Sequence, residues 1–411
     1  MMHSTAYTRS QKSLTYTLLS ALAILVLFFL FKPFITIWLL MASGSLYLAT
    51  SEKNARLIVT LIISLTAIVL TPYISTKTGL AIAGNDKKLY LEFMYQFLRS
   101  DFLQSISTQP EFVSFFIIKV AAQLFGPSDE AFALIFLVSF TLLAIGAIRI
   151  NQRASLAFML FFLSSSVFFN VFGNTIRQGL ALSFIFIVIS EQSRRKYLFM
   201  LLAIFSHFSA FALAPYILIR GLILRLSLKS TVLFFCCSYI AGFTVSYVMN
   251  MFSFSWEYLE KKRSLYVDLV SEESGIAKIT FFVILAIVLF TRTKLGSRLA
   301  QKAQKTTTKE ITALDSLYAL TAYISLLLFF VMQITDFFAR YYLYFLVISV
   351  FYISIYIYTR KSNTIRVLGV LFIVLYASAS VVNNFYKFPL FYCSKSSDFL
   401  TDNVLAIIGC L

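Results

Sequence analysis

Charge is scarce in this chain: only 13% of its 411 residues are Asp, Glu, Lys or Arg, and histidine occurs twice, at His3 and His207. There is no G-x-x-x-x-G-K-[ST] loop, no G-x-G-x-x-G after a strand and no D-x-D pair. These absences argue against a P-loop, a dinucleotide fold and the usual grip on a metal-bound nucleotide sugar. No Cys/His cluster has ligand spacing, so no metal site and no cofactor are expected. Of the four cysteines, Cys236 and Cys237 are adjacent inside an apolar run and read as small apolar filler. Cys393 and Cys410 fall in the tail, where a structural disulfide is open to them.

What fills the chain instead is apolar: 59% hydrophobic residues, 17% aromatics and a mean hydropathy of +0.84. That is more than a soluble core of this length can bury. Apolar runs of about 17 to 23 residues, rich in Leu, Ile and Phe and without the alternation of outer-membrane strands, predict a polytopic transmembrane helical bundle of the all-α class. Residues 1–411 read as a single integral membrane domain. The first apolar run follows a short basic stretch without a small-residue cleavage site, so it reads as a retained helix.

A net charge of +17 could signal nucleic acid, but the basic residues lie mostly in short segments between apolar runs, which reports topology instead. No nucleic-acid partner is expected. Six basic segments should face the cytoplasm: Arg9 with Lys12, Lys53 with Arg56, Arg149 with Arg153, Arg194 to Lys196, Arg292 to Lys309, and Arg360 to Arg366. Threading under that rule places spans near 14–32, 34–50, 57–74, 131–148, 155–172, 177–191, 231–250, 278–291, 314–334, 340–358 and 366–383. The run after "QPEF" is expected to be an interfacial or re-entrant helix. Residues 197–219, basic at both ends, are expected to form a hairpin or broken helix turning near "SHFSAF". The total is about 11–13 spans, with the N-terminus cytoplasmic and the C-terminal tail outside.

This threading leaves two long outer loops, 75–130 and 251–277, and one cytoplasmic basic linker, 292–313. It also puts 14 of the 18 acids on the outer side. Acids fill loops from which Lys and Arg are excluded, yet carboxylates and aromatics are also what a sugar site needs. The polar residues at the membrane edge carry the chemistry. Arg177 in "GNTIRQGLA", Arg340 in "DFFARYYLYF", Arg263 in "EKKRSLYVD" and His207 in "SHFSAF" are all expected at the outer side. An arginine on a membrane helix costs at least about 2.5 kcal/mol and must find anions or water; snorkelling to the boundary is the competing explanation. Arg177 and Arg340 can bind a diphosphate and stabilise the charge released when a glycosyl-diphosphate bond breaks. Arg263 would assist. His207 is suited to take a hydroxyl proton, with Asp86 or Glu111 as the alternative base. Tyr90 and Tyr341 are candidate sugar-stacking rings, and Gln178 adjoins Arg177 in the same motif.

The succession of "GNDKKLYLEFMY" with Asp86 and Tyr90, "QPEF" with Glu111, "NTIRQGLALSF", basic "RRK" and "SHFSAF", with a later echo in "RYYLYF", resembles the EpsG-like branch of Wzy-type O-antigen and exopolysaccharide polymerases. The resemblance runs over roughly Asp86 to Tyr216. It implies a GT-C-like, metal-independent glycosyltransferase in the bacterial inner membrane that joins undecaprenyl-diphosphate-linked oligosaccharide units on the periplasmic side. The implied partners are that lipid-linked oligosaccharide, membrane lipid and a chain-length regulator protein. Two other readings stay open: a flippase, which would place its polar residues in a midplane channel, and an O-antigen ligase.

Overall fold

The computed structural model describes residue 26, residues 28–80, 86–99, 110–251, 274–293, 308–387, 390–392, 395–396 and 402–404, and residue 406. Helix α1 (Pro33–Thr50) starts with proline at its first position, where the missing N–H costs nothing. Four residues return the chain into α2 (Ala55–Ser75). A short strand, β1 (Lys77–Leu80), precedes α3 (Asp86–Arg99) and α4 (Phe112–Phe125). The α3 helix is amphipathic, burying Lys87, Tyr90, Met94 and Phe97 at helical spacing. With its 14 residues α4 rises only about 21 Å, too little to cross a bilayer. These two helices pack with the start of the next around a small core of their own, which includes Tyr90, Phe97, Phe115, Phe132 and Ile176.

Helix α5 (Asp129–Ile150) then runs the length of the bundle. The single span expected at 155–172 is instead two helices, α6 (Ala154–Leu163) and α7 (Ser166–Gly173), meeting at an angle of 85°. The serines cause this break. Ser164 and Ser165 turn their hydroxyls back to the carbonyls of Leu160 and Phe162, and Ser165 is extended. Trp38 and Ser380 hold the corner from outside by hydrogen bonds to Ser164. Helix α8 (Ile176–Ser190) lies at the centre, almost every residue buried, as a helix apolar all round must be. It approaches α5 so closely that a Cβ on Gly146 would lie 2.7 Å from the Cβ of Phe186.

The expected break at 197–219 falls at His207. Helix α9 (Arg195–Ser206) ends there, a 3-10 turn (Phe208–Leu213) follows, and α10 (Tyr216–Arg225) returns until Arg220 and Lys196 line one cavity. The pair is a hairpin with His207 at its tip. The remainder comprises α11 (Leu228–Met251), α12 (Ser274–Phe290), α13 (Thr308–Phe330), α14 (Thr335–Tyr358) and α15 (Asn363–Lys387). Two further strands, β2 (Leu390–Tyr392) and β3 (Lys395–Ser396), pair antiparallel with β1 in the order β1-β2-β3. This small sheet, not anticipated, brings the tail to the end of the bundle where α2 finishes.

Among the described residues eight helical segments are long and apolar enough to cross a membrane, one of them the 3-10 turn together with α10 (Phe208–Arg225), and nine if the bent pair counts as one. The chain is a multi-pass helical membrane protein. Of the runs expected as spans, α8 and α12 are apolar helices shorter than that length, and the run at 14–32 lies largely outside the described residues. Cys236 and Cys237 lie inside the candidate span of α11, both with free thiols on its exposed surface. Cys393 and Cys410 lie outside the described residues.

Among the described residues, the basic segments around Lys53, Arg149 and Arg366 gather at one end; Arg9, Lys12 and most of 292–309 lie outside the described residues. Arg153 pairs with Glu52 and donates to the Leu48 carbonyl, while Arg366 lies within electrostatic reach of both Arg153 and Glu52. Asp86, Glu111, Asp129, Arg177 and His207 sit at the other end.

Candidate functional site

The site begins with a chain reversal between α7 and α8. The Asn170 carbonyl accepts the N–H groups of both Asn174 and Thr175, which stops α7. The Asn174 side chain then donates to Asn170 Oδ1 at 3.2 Å and accepts the Asp86 N–H at 3.0 Å, pinning the start of α3 to the start of α8. Lys87 reinforces that position through the Ser75 carbonyl, at 2.6 Å, and an ion pair with Asp129. One turn beyond Asp86 on α3, Tyr90 meets Arg177, the second residue of α8. Arg177 Nε donates to the Tyr90 hydroxyl at 3.3 Å, and its guanidinium lies 5.8 Å from the Tyr90 ring centroid and 5.4 Å from that of Phe115.

Glu111 stands immediately before α4 and joins three elements through one carboxylate. Its Oε2 pairs with Arg177 Nη1; its Oε1 lies 2.7 Å from His207 Nδ1 and accepts the Phe208 N–H at 2.9 Å. The last contact caps the 3-10 turn, whose first N–H groups would otherwise lack acceptors. Ser114 Oγ, one turn into α4, donates to the Ser206 carbonyl, so the start of α4 is fastened to the end of α9 twice. Burial alone would raise the Glu111 carboxyl. The hydrogen bond and charge of His207, the charge of Arg177 and the Phe208 N–H outweigh it and hold the carboxyl at about 2. Glu111 is therefore ionised at neutral pH.

With Nδ1–H directed at Glu111, a neutral His207 presents Nε2 as an acceptor. Arg177 Nη2 has no protein partner among the described residues. The side chains of Glu111, His207 and Arg177 are 9%, 13% and 28% exposed, a gradient that leaves the arginine the most open. Gln178, buried beside Arg177, donates to the Arg340 carbonyl at 2.8 Å, which fixes the start of α14 to the start of α8. Ser209 and Tyr344 share a hydrogen bond of 3.1 Å, and Tyr323 donates to the Ala212 carbonyl at 2.8 Å, so α13 and α14 hold the hairpin tip from the other side.

The predicted residues thus divide. Glu111, Arg177, His207, Tyr90 and Asp86 are brought into one constellation, with Gln178 linking it to Arg340. Tyr90 and Tyr341 are buried, Tyr90 under the Arg177 guanidinium, so neither ring presents an open face for stacking. Arg263 lies outside the described residues. Sequence reasoning missed the hub: Glu111 read as an outer carboxylate, whereas it is the group that Arg177 and His207 share. It also missed Asn170, although two asparagines four apart in an apolar run, "FNVFGN", were a usable signal. Among the described residues no three His, Cys, Asp or Glu side chains are grouped to hold a metal ion.

A profile of the EpsG family matches residues 78–395, a stretch that begins before Asp86 and runs past Arg340 to enclose every residue of this constellation. No curated protein and no solved structure matches the chain. The helical bundle, the polar constellation at one end and a match over most of the chain agree, and the protein belongs to the EpsG family, as a multi-pass membrane protein of polysaccharide biosynthesis.

Proposed function

We propose that this protein polymerises undecaprenyl-diphosphate-linked oligosaccharide units at the Glu111 end of the bundle, on the periplasmic side of a bacterial inner membrane, without a metal. The observation that carries the reading is the Glu111 carboxylate shared between Arg177 and His207. In the reaction, a hydroxyl oxygen of the incoming lipid-linked unit attacks the anomeric carbon of the growing glycan. The bond from that carbon to the carrier diphosphate breaks, and the diphosphate leaves with the bonding electron pair. His207 Nε2 takes the hydroxyl proton, and ionised Glu111 stabilises the imidazolium that forms while holding its ring in place. Arg177, through its open Nη2, and Arg340 meet the charge developing on the diphosphate. Arg263 assists. Asp86, Tyr90 and Gln178 keep these groups in register through the contacts described above, and Tyr341 borders Arg340.

A flippase would need its polar groups in a midplane channel open to alternating sides. The Glu111 constellation sits at helix ends instead, which favours group transfer over transport. An O-antigen ligase would use the same donor chemistry with a different acceptor.

Purified protein given purified lipid-linked repeat units, a chelator and no nucleotide should produce a ladder of longer glycans. Activity abolished by the chelator and restored by a divalent ion would overturn the metal-free mechanism. Failure to extend the units under any ionic condition would overturn the polymerase reading.

A further inference from the structure

At the end of the bundle opposite Glu111, the two legs of the His207 hairpin enclose a cavity of about 230 Å³ with the ends of α5 and α8 and the beginning of α13. Three cations line it, each from a different helix: Arg149 from the last turn of α5, Lys196 from the first turn of α9 and Arg220 from α10. Among the described residues none of the three is in an ion pair. The single acid on the lining, Glu191, accepts the Ser193 N–H at 3.0 Å in the bend before α9 and also lies within electrostatic reach of Arg149. The polar wall is already fixed: the Tyr216 hydroxyl donates to the Ser316 carbonyl at 2.8 Å, and Arg220 Nη2 to the Thr312 carbonyl at 3.2 Å.

Orientation in the membrane explains why cations are plentiful at this end, but that rule asks only for charge in the loops. It does not require three cations from three helices around one cavity, one of them five residues into α10. We propose that this cavity binds a phosphate group, held by Arg149, Lys196 and Arg220, and that the bound anion draws the two legs of the hairpin together. Guanidinium and ammonium groups gathered around one concavity suit phosphate oxygens. On the face of α10 turned away from Arg220, Leu218 and Leu222 are 79% and 61% exposed, so the helix that carries Arg220 also presents an apolar surface. A phospholipid can satisfy both features at once, its phosphate inside and its acyl chains along α10; free phosphate can satisfy only the first. Lys196 lies on the leg that ends at His207 and Arg220 on the leg that returns from it, so an anion between them stiffens the element whose tip contacts Glu111. The site stands on the cavity and its cations alone and does not depend on the function proposed above.

Native mass spectrometry and amide hydrogen exchange of the full protein in neutral detergent test it. Dioleoylphosphatidylglycerol, dioleoylphosphatidylcholine and inorganic phosphate would be added separately. The expected result is saturable binding of one phosphatidylglycerol in preference to phosphatidylcholine, with slower exchange over residues 195–225. Arg220→Gln and Lys196→Gln should each weaken that binding about ten- to a hundredfold, the range for losing one charge-assisted contact. Arg220→Lys should retain part of it, and Lys229→Gln, which removes an exposed cation outside the cavity, should leave it unchanged. If inorganic phosphate alone saturates the site and slows exchange equally, the site takes soluble phosphate and the anion-site assignment still holds. No saturable binding of either probe to wild-type protein would overturn the proposal. So would equal losses in Lys196→Gln and Lys229→Gln.

Discussion

Around Glu111, two cations are matched to acids: Arg177 with Glu111 and Lys87 with Asp129. At the opposite end, Arg149, Lys196 and Arg220 line one cavity without a direct ion pair among the described residues, and the one nearby acid, Glu191, is held by the α9 bend within electrostatic reach of Arg149. Charges at the basic end need only stay near water to orient the chain. Lys87, Arg177 and Glu111 at the other end are mostly withdrawn from water, and each has a charged partner in fixed geometry. A paired, half-buried charge has a defined position, which chemistry requires. An unpaired one remains available to a ligand. The two ends therefore differ in what their charges are ready to do, although both began as polar interruptions of apolar sequence.

The sharpest way to break that contrast is to unpair the Glu111 end. Glu111→Gln leaves the Arg177 guanidinium without its anion and His207 without the carboxylate that orients it. Polymerisation should fall roughly a thousandfold or more, as when the orienting acid of a catalytic histidine is lost. Membrane levels should fall as well, since an unpaired, largely buried charge costs about 2 to 3 kcal/mol here, less than for full burial because Arg177 is 28% exposed. Adding Arg177→Met should recover the protein level but not the glycan. Glycan length on gels, normalised to protein in the membrane, reads both effects.

Arg177→Lys keeps the charge and loses the planar fork that reaches Glu111 and Tyr90 together. A loss of about ten- to a hundredfold in turnover is expected with little change in protein level, whereas a boundary charge that merely snorkels would tolerate lysine completely. A smaller effect should come from Tyr344→Phe, which removes the 3.1 Å hydrogen bond to Ser209 at the hairpin tip. One net hydrogen bond is about 0.5 to 1.5 kcal/mol, so a two- to tenfold loss in turnover is expected, with a matching loss from Ser209→Ala and no additive loss in the double variant.

The smallest effect concerns pH. Because the folded-state Glu111 carboxyl lies at about 2, below its ordinary 4.5, its stabilising contribution is complete above pH 4.5 and is lost as pH falls toward 2. Between pH 8 and pH 5 Glu111 stays ionised, so the titration of Glu111 itself should contribute nothing to the difference between the melting curves of wild type and Glu111→Gln. The two curves should converge only below pH 4.5.

Much of the fold was legible because hydropathy and charge act over whole segments. The runs at 34–50, 57–74 and 131–148 became α1, α2 and α5 within a few residues, and the basic ends of 197–219 correctly demanded a return at His207. The break at Ser164 and Ser165 was not legible, because two serine hydroxyls bonding back to their own helix do not change the apolar pattern. At the site, composition could nominate Arg177 and His207 as costly intramembrane groups, but not their common partner. Glu111 is 66 residues from one and 96 from the other. Only the packing of α4 against α9, and of α9 against α8, makes them neighbours. That packing also bears on Arg177: its guanidinium already faces Glu111 and Tyr90, so in the proposed reaction it would meet a diphosphate with its remaining edge rather than with its whole fork.

The central claim is that glycan is built where Glu111 holds His207. The most direct measurement is the glycan ladder of a deletion strain complemented with His207→Ala at wild-type membrane level. Single repeat units attached to the lipid A core, with no longer chains, are the expected result. A wild-type ladder would contradict the claim and leave the Glu111 constellation as a structural clasp at the end of the bundle.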